Sequence, residues 1–212
     1  VSDPADVPLL EFLAVMRRLR AECGWKRAQT HRSLARYLLE ETHETLEAID
    51  VGEETGDWSA LREELGDLLL QVYFHAVLAE ERGEFTLDDV ATDVTAKMHR
   101  RNPHVFGSAA EAAGVDADDP VAVNEAWEAA KAAEKQRTSL TDGIPPALPA
   151  LLYADKVLDR LERAGTPADL GGEHPELGDR LLALVAEARG AGTDPEQALR
   201  DAVRRALARS AG

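Results

Sequence analysis

The sequence predicts an all-helical protein, and three observations carry that prediction. Across its 212 residues the β-branched types are sparse, whereas alanine, leucine, glutamate and arginine dominate. Apolar residues recur at spacings of three and four, which is the period of one helix face. No convincing alternation of apolar and polar residues marks a half-buried strand.

The elements follow in order. A first helix is expected over roughly residues 8–22, rich in apolar residues ("LLEFLAVMRRLR"), with a loop at Gly24. Thr30 or Ser33 can cap the second helix, because a short side-chain oxygen there accepts from an otherwise unpaired backbone N–H. This helix is expected to run to about Asp50, and "VGEETGDWS" reads as a polar turn. The third helix should run from about Ser59 to Glu81 and end before Gly83. Thr86, with Asp89 three residues later, opens a fourth that reaches about Arg101, where Asn102 and Pro103 stop it.

Residues 107–120 have the small, acidic composition of a mobile loop, and a helix resumes from about Val121 to Arg137. "TSLTDGIPPALP" is the clearest linker. The chain therefore divides into a helical domain at 1–137, a linker at 138–150 and a helical region at 151–212. In that last region "ELGDRLLAL" (Glu176 to Leu184) repeats "ELGDLLLQV" (Glu64 to Val72), which suggests an internal duplication. It is eroded, because residues 151–175 hold nothing like the acidic stretch from Tyr37 to Asp50.

Composition restricts the function. Acidic residues outnumber basic ones by 40 to 24, and the formal net charge is -16. Such a surface argues against binding a nucleic-acid backbone, and a phosphate-bearing ligand would need cations placed locally. No apolar run of about 18 residues is present, and "VSDPADVP" lacks the basic and apolar regions of a signal peptide, so a cytoplasmic location is expected. The single cysteine, Cys23, cannot form an internal disulfide and has a weak case as a nucleophile.

Chemistry concentrates in two acidic segments. "YLLEETHETLEAID" (Tyr37 to Asp50) places Leu34, Leu38, Leu39, Leu46 and Ile49 on one side of a helical wheel, with Glu40, Glu44 and Glu47 roughly opposite. Alone it favours the reading as a solvated face. The third helix is apolar almost all the way round, and Glu64 and Asp67 share a sector with Phe74 and Leu78, so they are expected to face protein. Buried carboxylates are costly unless paired, protonated or bound to a cation. Glu41 and Glu44, like Glu64 and Asp67, are spaced i, i+3 on one face, and an antiparallel pairing of the two helices would bring all four together. Oxygen-only ligands suit magnesium, with manganese as a substitute, better than zinc.

"EETHE" (Glu40 to Glu44) followed by "ELGD" (Glu64 to Asp67) resembles the EExxE…ExxD signature of the MazG family of nucleoside triphosphate pyrophosphohydrolases. The resemblance covers roughly residues 8–137 and includes "RRNPHVF" (Arg100 to Phe106). "CGWKRAQTH" departs from the family's "CPWDxxQTH" at Gly24 and Lys26. The resemblance implies a four-helix-type catalytic module with a degenerate second module, magnesium held by Glu41, Glu44, Glu64 and Asp67, and hydrolysis between the α and β phosphorus of a nucleoside triphosphate. Glu40, adjacent but rotated off the Glu41 row, is the candidate to orient or deprotonate water. Lys97 and Arg101, four apart, can hold phosphates, while Trp127 and Lys131 can meet the base and a phosphate. A homodimer is implied by resemblance alone. Two alternatives stay open: a relative narrow for dUTP or phosphoribosyl-ATP, and a non-catalytic helical scaffold or regulatory protein. Trp25, Trp58 and the scattered histidines read as structural or solvated.

Overall fold

Ten helices and no strand form among the described residues of the computed structural model, which are 7–108, 115–134, 139–166, 168–171 and 175–210. The centre of the expected loop at 107–120 and the end of the helix expected at Arg137 lie outside those residues. Two compact units divide the chain, Val1–Ala130 and Lys131–Gly212.

In the first unit, α1 (Pro8–Glu22) begins with proline at its first turn, where the missing N–H costs nothing. The loop expected at Gly24 is instead a short helix, α2 (Gly24–Ala28). α3 (His31–Thr55) starts at Thr30, and the choice between the two caps dissolves: Thr30 accepts from the Ser33 N–H while the Ser33 side chain accepts from the Thr30 N–H. α3 outruns its expected end by five residues, stopping at left-handed Gly56. Gly52 does not break it. A Cβ at Gly52 would lie 2.4 Å from the Trp58 ring, so this glycine makes room for packing rather than marking a turn.

α4 (Ser59–Glu80) returns after a three-residue link. Glu41 meets Glu64 and Asp67 near the link, and His31 meets His75 far from it, so the two helices run antiparallel. Leu13 and Met16 of α1, Leu34 of α3 and Tyr73, Phe74, Val77 and Leu78 of α4 form the core. Burial in α4 is concentrated in its C-terminal half; Leu65, near its start, is exposed. α5 (Leu87–Arg101) opens on the expected Thr86 and Asp89 capping box, and α6 (Pro103–Phe106) and α7 (Pro120–Glu134) follow.

In the second unit, α8 (Ala150–Arg163), α9 (Leu177–Gly190) and α10 (Pro195–Ser210) enclose Leu158 and Val185. Arg189 of α9 joins Asp155 at 2.8 Å, Asp159 at 3.3 Å and Glu162 at 3.0 Å on α8. The repeated acids are spent locally: Glu176 and Asp179 form a capping box at the start of α9.

Candidate metal centre

The four acidic positions singled out by their spacing gather across the α3 and α4 hairpin. Carboxylate oxygens of Glu41, Glu64 and Asp67 lie within 4.8 Å of one another, and all three side chains are half-buried. They are not enclosed as the wholly apolar reading of α4 had it, because the apolar girth of that helix begins only beyond Leu68. Glu44 is exposed, within hydrogen-bonding reach of Glu41, and it also acts electrostatically on Glu64.

Like charges held this close oppose one another's ionisation. Partial burial, reinforced by Asp67, Glu44 and Glu64, raises the Glu41 carboxyl above the ordinary carboxylate range. Glu64 is raised by desolvation and by Glu44, Asp67 and Glu63. The charges that raise both groups are those of neighbouring carboxylates. A hard divalent cation fits this donor set, which is made of oxygen alone.

Glu40 lies outside the cluster. It is exposed and accepts at Oε1 from Arg36, 3.0 Å away and one turn earlier on α3. The i, i+4 spacing of Arg36 and Glu40 was a readable signal for that pair. Lys97 is exposed on α5, whereas Arg101, four residues on, is buried and places its guanidinium 5.3 Å from the centroid of the Trp127 ring. The two residues of this pair thus differ in burial. Lys131 follows Trp127 by one turn on α7 and is half-buried.

Two features escaped the sequence reading. His31 and His75 stack with their planes 7° apart and their Nδ1 atoms at 2.7 Å, so one ring donates and the other accepts. Desolvation, helped by His31, pushes the His75 imidazole down. Trp25 and Trp58, expected as structural, are both about half exposed. Neither feature has a spacing signature, since each depends on where separate helices meet.

Residues 29–106 match the family model of the MazG nucleotide pyrophosphohydrolase domain. The chain is 38% identical to the nucleoside triphosphate pyrophosphohydrolase/pyrophosphatase MazG of Thermotoga maritima, over 94% of this chain and 82% of that protein. It is 35% identical to the nucleoside triphosphate pyrophosphohydrolase of Escherichia coli K12, over 90% of this chain and 81% of that one. For the protein of the same name from Mycobacterium tuberculosis the identity is 42%, over 92% of this chain but 54% of the relative, so the chain spans about half of its length. The acidic hairpin lies within the matched residues, and the chain belongs to the MazG nucleotide pyrophosphohydrolase family.

Proposed function

We propose that this chain hydrolyses nucleoside triphosphates to the monophosphate and pyrophosphate. The observation that carries the reading is the convergence of Glu41, Glu64 and Asp67 across one hairpin in a chain of this family. Those three carboxylates, with Glu44 beside them, would hold magnesium, or manganese in its place. When bound, the metal neutralises triphosphate oxygens and lowers the pKa of a coordinated water.

The chain's own residues do the rest. Glu40 orients the attacking water from the row next to Glu41, while Arg36 fixes one of its oxygens. Lys97 and Arg101 take phosphate oxygens, Arg101 through its planar fork and Lys97 as a point charge. Trp127 and Lys131 complete the substrate contacts from α7. In the helical region at 151–212 the repeated acids Glu176 and Asp179 cap α9, so that region is read as a degenerate module. Nucleotide-pool house-cleaning suits a cleavage that removes a triphosphate altogether.

A homodimer suits the exposed apolar side chains of the hairpin, among them Leu39 at 60% exposure and Leu65 at 51%. No helix among the described residues is long and apolar enough to cross a membrane, and a cytoplasmic enzyme is consistent with that.

Incubation with magnesium and a panel of common, damaged, dUTP and phosphoribosyl-ATP substrates tests the reading, with released pyrophosphate as readout. Turnover of several triphosphates with one pyrophosphate per monophosphate is expected. Turnover restricted to dUTP or phosphoribosyl-ATP would replace it with the narrow alternative, and absence of both turnover and magnesium-dependent binding would leave a scaffold.

A further inference from the structure

Gln71 is the first residue of α4 to be buried, at 4% exposure, and its Oε1 has no hydrogen-bond partner. A buried acceptor left without a donor is costly, and native structures keep few of them. Other buried polar side chains of this unit are satisfied. Thr45 Oγ1 donates to the Glu41 carbonyl at 2.7 Å, and Arg20 donates to Glu81 and to the carbonyl oxygens of Lys26 and Gln29.

The place of Gln71 on its helix says which donor it can meet. Glu64, Asp67, Gln71 and His75 follow one another at steps of three, four and four, so they form one stripe along α4. Both ends of that stripe face α3: Glu64 and Asp67 converge with Glu41, and His75 meets His31. Gln71 therefore lies on the α3 side of α4 between them, about 6 Å along the axis from Asp67. Side chains of a helix lean toward its N-terminus, and in α4 that is the end bearing the acids. His75 Nε2, at the far end of the stripe, is also buried without a partner, so it does not serve Gln71 Oε1. The acidic side is then the direction from which Gln71 Oε1 meets a donor.

We propose that Gln71 is a positioning residue for the metal centre, its Oε1 accepting a hydrogen bond from a water bound to the cation that Glu41, Glu64 and Asp67 would hold. The inference rests on the function proposed above. A divalent cation withdraws electron density from a bound water and makes its protons stronger donors. A neutral amide oxygen accepts such a proton without adding charge to an acidic cluster. Partners of this kind orient what the metal holds and tune how tightly it is held.

Calorimetric titration with magnesium alone, beside the melting temperature of the ion-free protein, tests the assignment in two variants. Gln71→Met keeps an unbranched side chain of similar length but removes the acceptor, so magnesium affinity should fall about tenfold, the low end for losing such a partner. Its ion-free melting temperature should not fall, because the orphaned acceptor is gone. Gln71→Glu restores an acceptor and should bind magnesium at least as tightly as the wild type, while its added carboxylate lowers the ion-free melting temperature. Magnesium affinity unchanged in Gln71→Met, or a loss that Gln71→Glu shares in full, overturns the assignment and leaves the metal centre standing. A lowered ion-free melting temperature in Gln71→Met also overturns it, since Oε1 would then have its partner within the fold. A wild type that binds no magnesium overturns the metal centre and the proposed function with it.

Discussion

Glu41 and Glu64 carry the electrostatic signature of the site, and its sign can be followed through. Their carboxyls are raised above the ordinary range, so the ion-free folded chain holds protons there that the unfolded chain has released. The stabilisation from those protons is complete below the unfolded carboxylate pKa, near 4.5, and is lost as pH rises through the raised values. The repulsion within the ion-free hairpin therefore grows as pH rises through those values. Glu64→Gln should raise the melting temperature without divalent ions and blunt the rise that magnesium produces in the wild type. Magnesium at a hundred times its dissociation constant should stabilise the wild type by about 2.7 kcal/mol. Binding at pH 5 should also release protons, which titrations in buffers of different ionisation enthalpy would register; a Tm fall in ion-free Glu64→Gln would contradict the repulsion.

At the scale of elements, the clasp between α1 and the end of α4 holds the α2 region to the core. Arg17 pairs with Glu80 at 2.8 Å and Arg20 with Glu81 at 2.6 Å. The first pair is substantially exposed and contributes little. The second involves a buried guanidinium that also satisfies two carbonyls, so Arg20→Ala should cost about 2 kcal/mol in urea unfolding. Arg20 holds the Glu81 carboxyl below its usual range. Its stabilisation is present above about pH 4.5 and is lost as pH falls through the depressed value, so the difference between Arg20→Ala and wild type should shrink in acid. An Arg20→Ala protein as stable as the wild type at pH 7 would remove the clasp.

These elements also separate what could be read in sequence from what could not. Capping residues announced the starts of α3 and α5 because a cap acts through its own neighbours: Thr30 with Ser33, and Thr86 with Asp89. The true end of α3 was hidden, since Gly52 looks like a breaker until the Trp58 ring is placed over it. The acidic constellation was legible because each helix supplies carboxylates at i, i+3, and the antiparallel return merely superimposes them. The stacking of Arg101 on Trp127, the His31 and His75 pair and the exposure of Trp25 were not legible, for each is a meeting of residues from different helices.

For the whole molecule, the hairpin that carries the acids also exposes Leu39 and Leu65, which would connect the proposed dimer with the site. Leu39→Glu combined with Leu65→Glu should convert a dimer to a monomer in sedimentation velocity without loss of helical signal. A wild type that sediments as a monomer at every concentration would oppose the dimer. The second unit shares the "ELGD" sequence, but there Glu176 and Asp179 form the capping box of α9. The acids of α8, Asp155, Asp159 and Glu162, are neutralised in part by Arg189. The proposed catalytic centre therefore belongs to the first unit, where Glu41, Glu64 and Asp67 converge.

The most direct measurement compares magnesium-dependent pyrophosphate release by the wild type and by Asp67→Ala, with helical content followed by circular dichroism in both. The account predicts stoichiometric monophosphate and pyrophosphate from the wild type, and a loss of about a hundredfold or more in the variant with its helices intact. Undiminished pyrophosphate release by a folded Asp67→Ala protein, or release of orthophosphate and a diphosphate by the wild type, would contradict it.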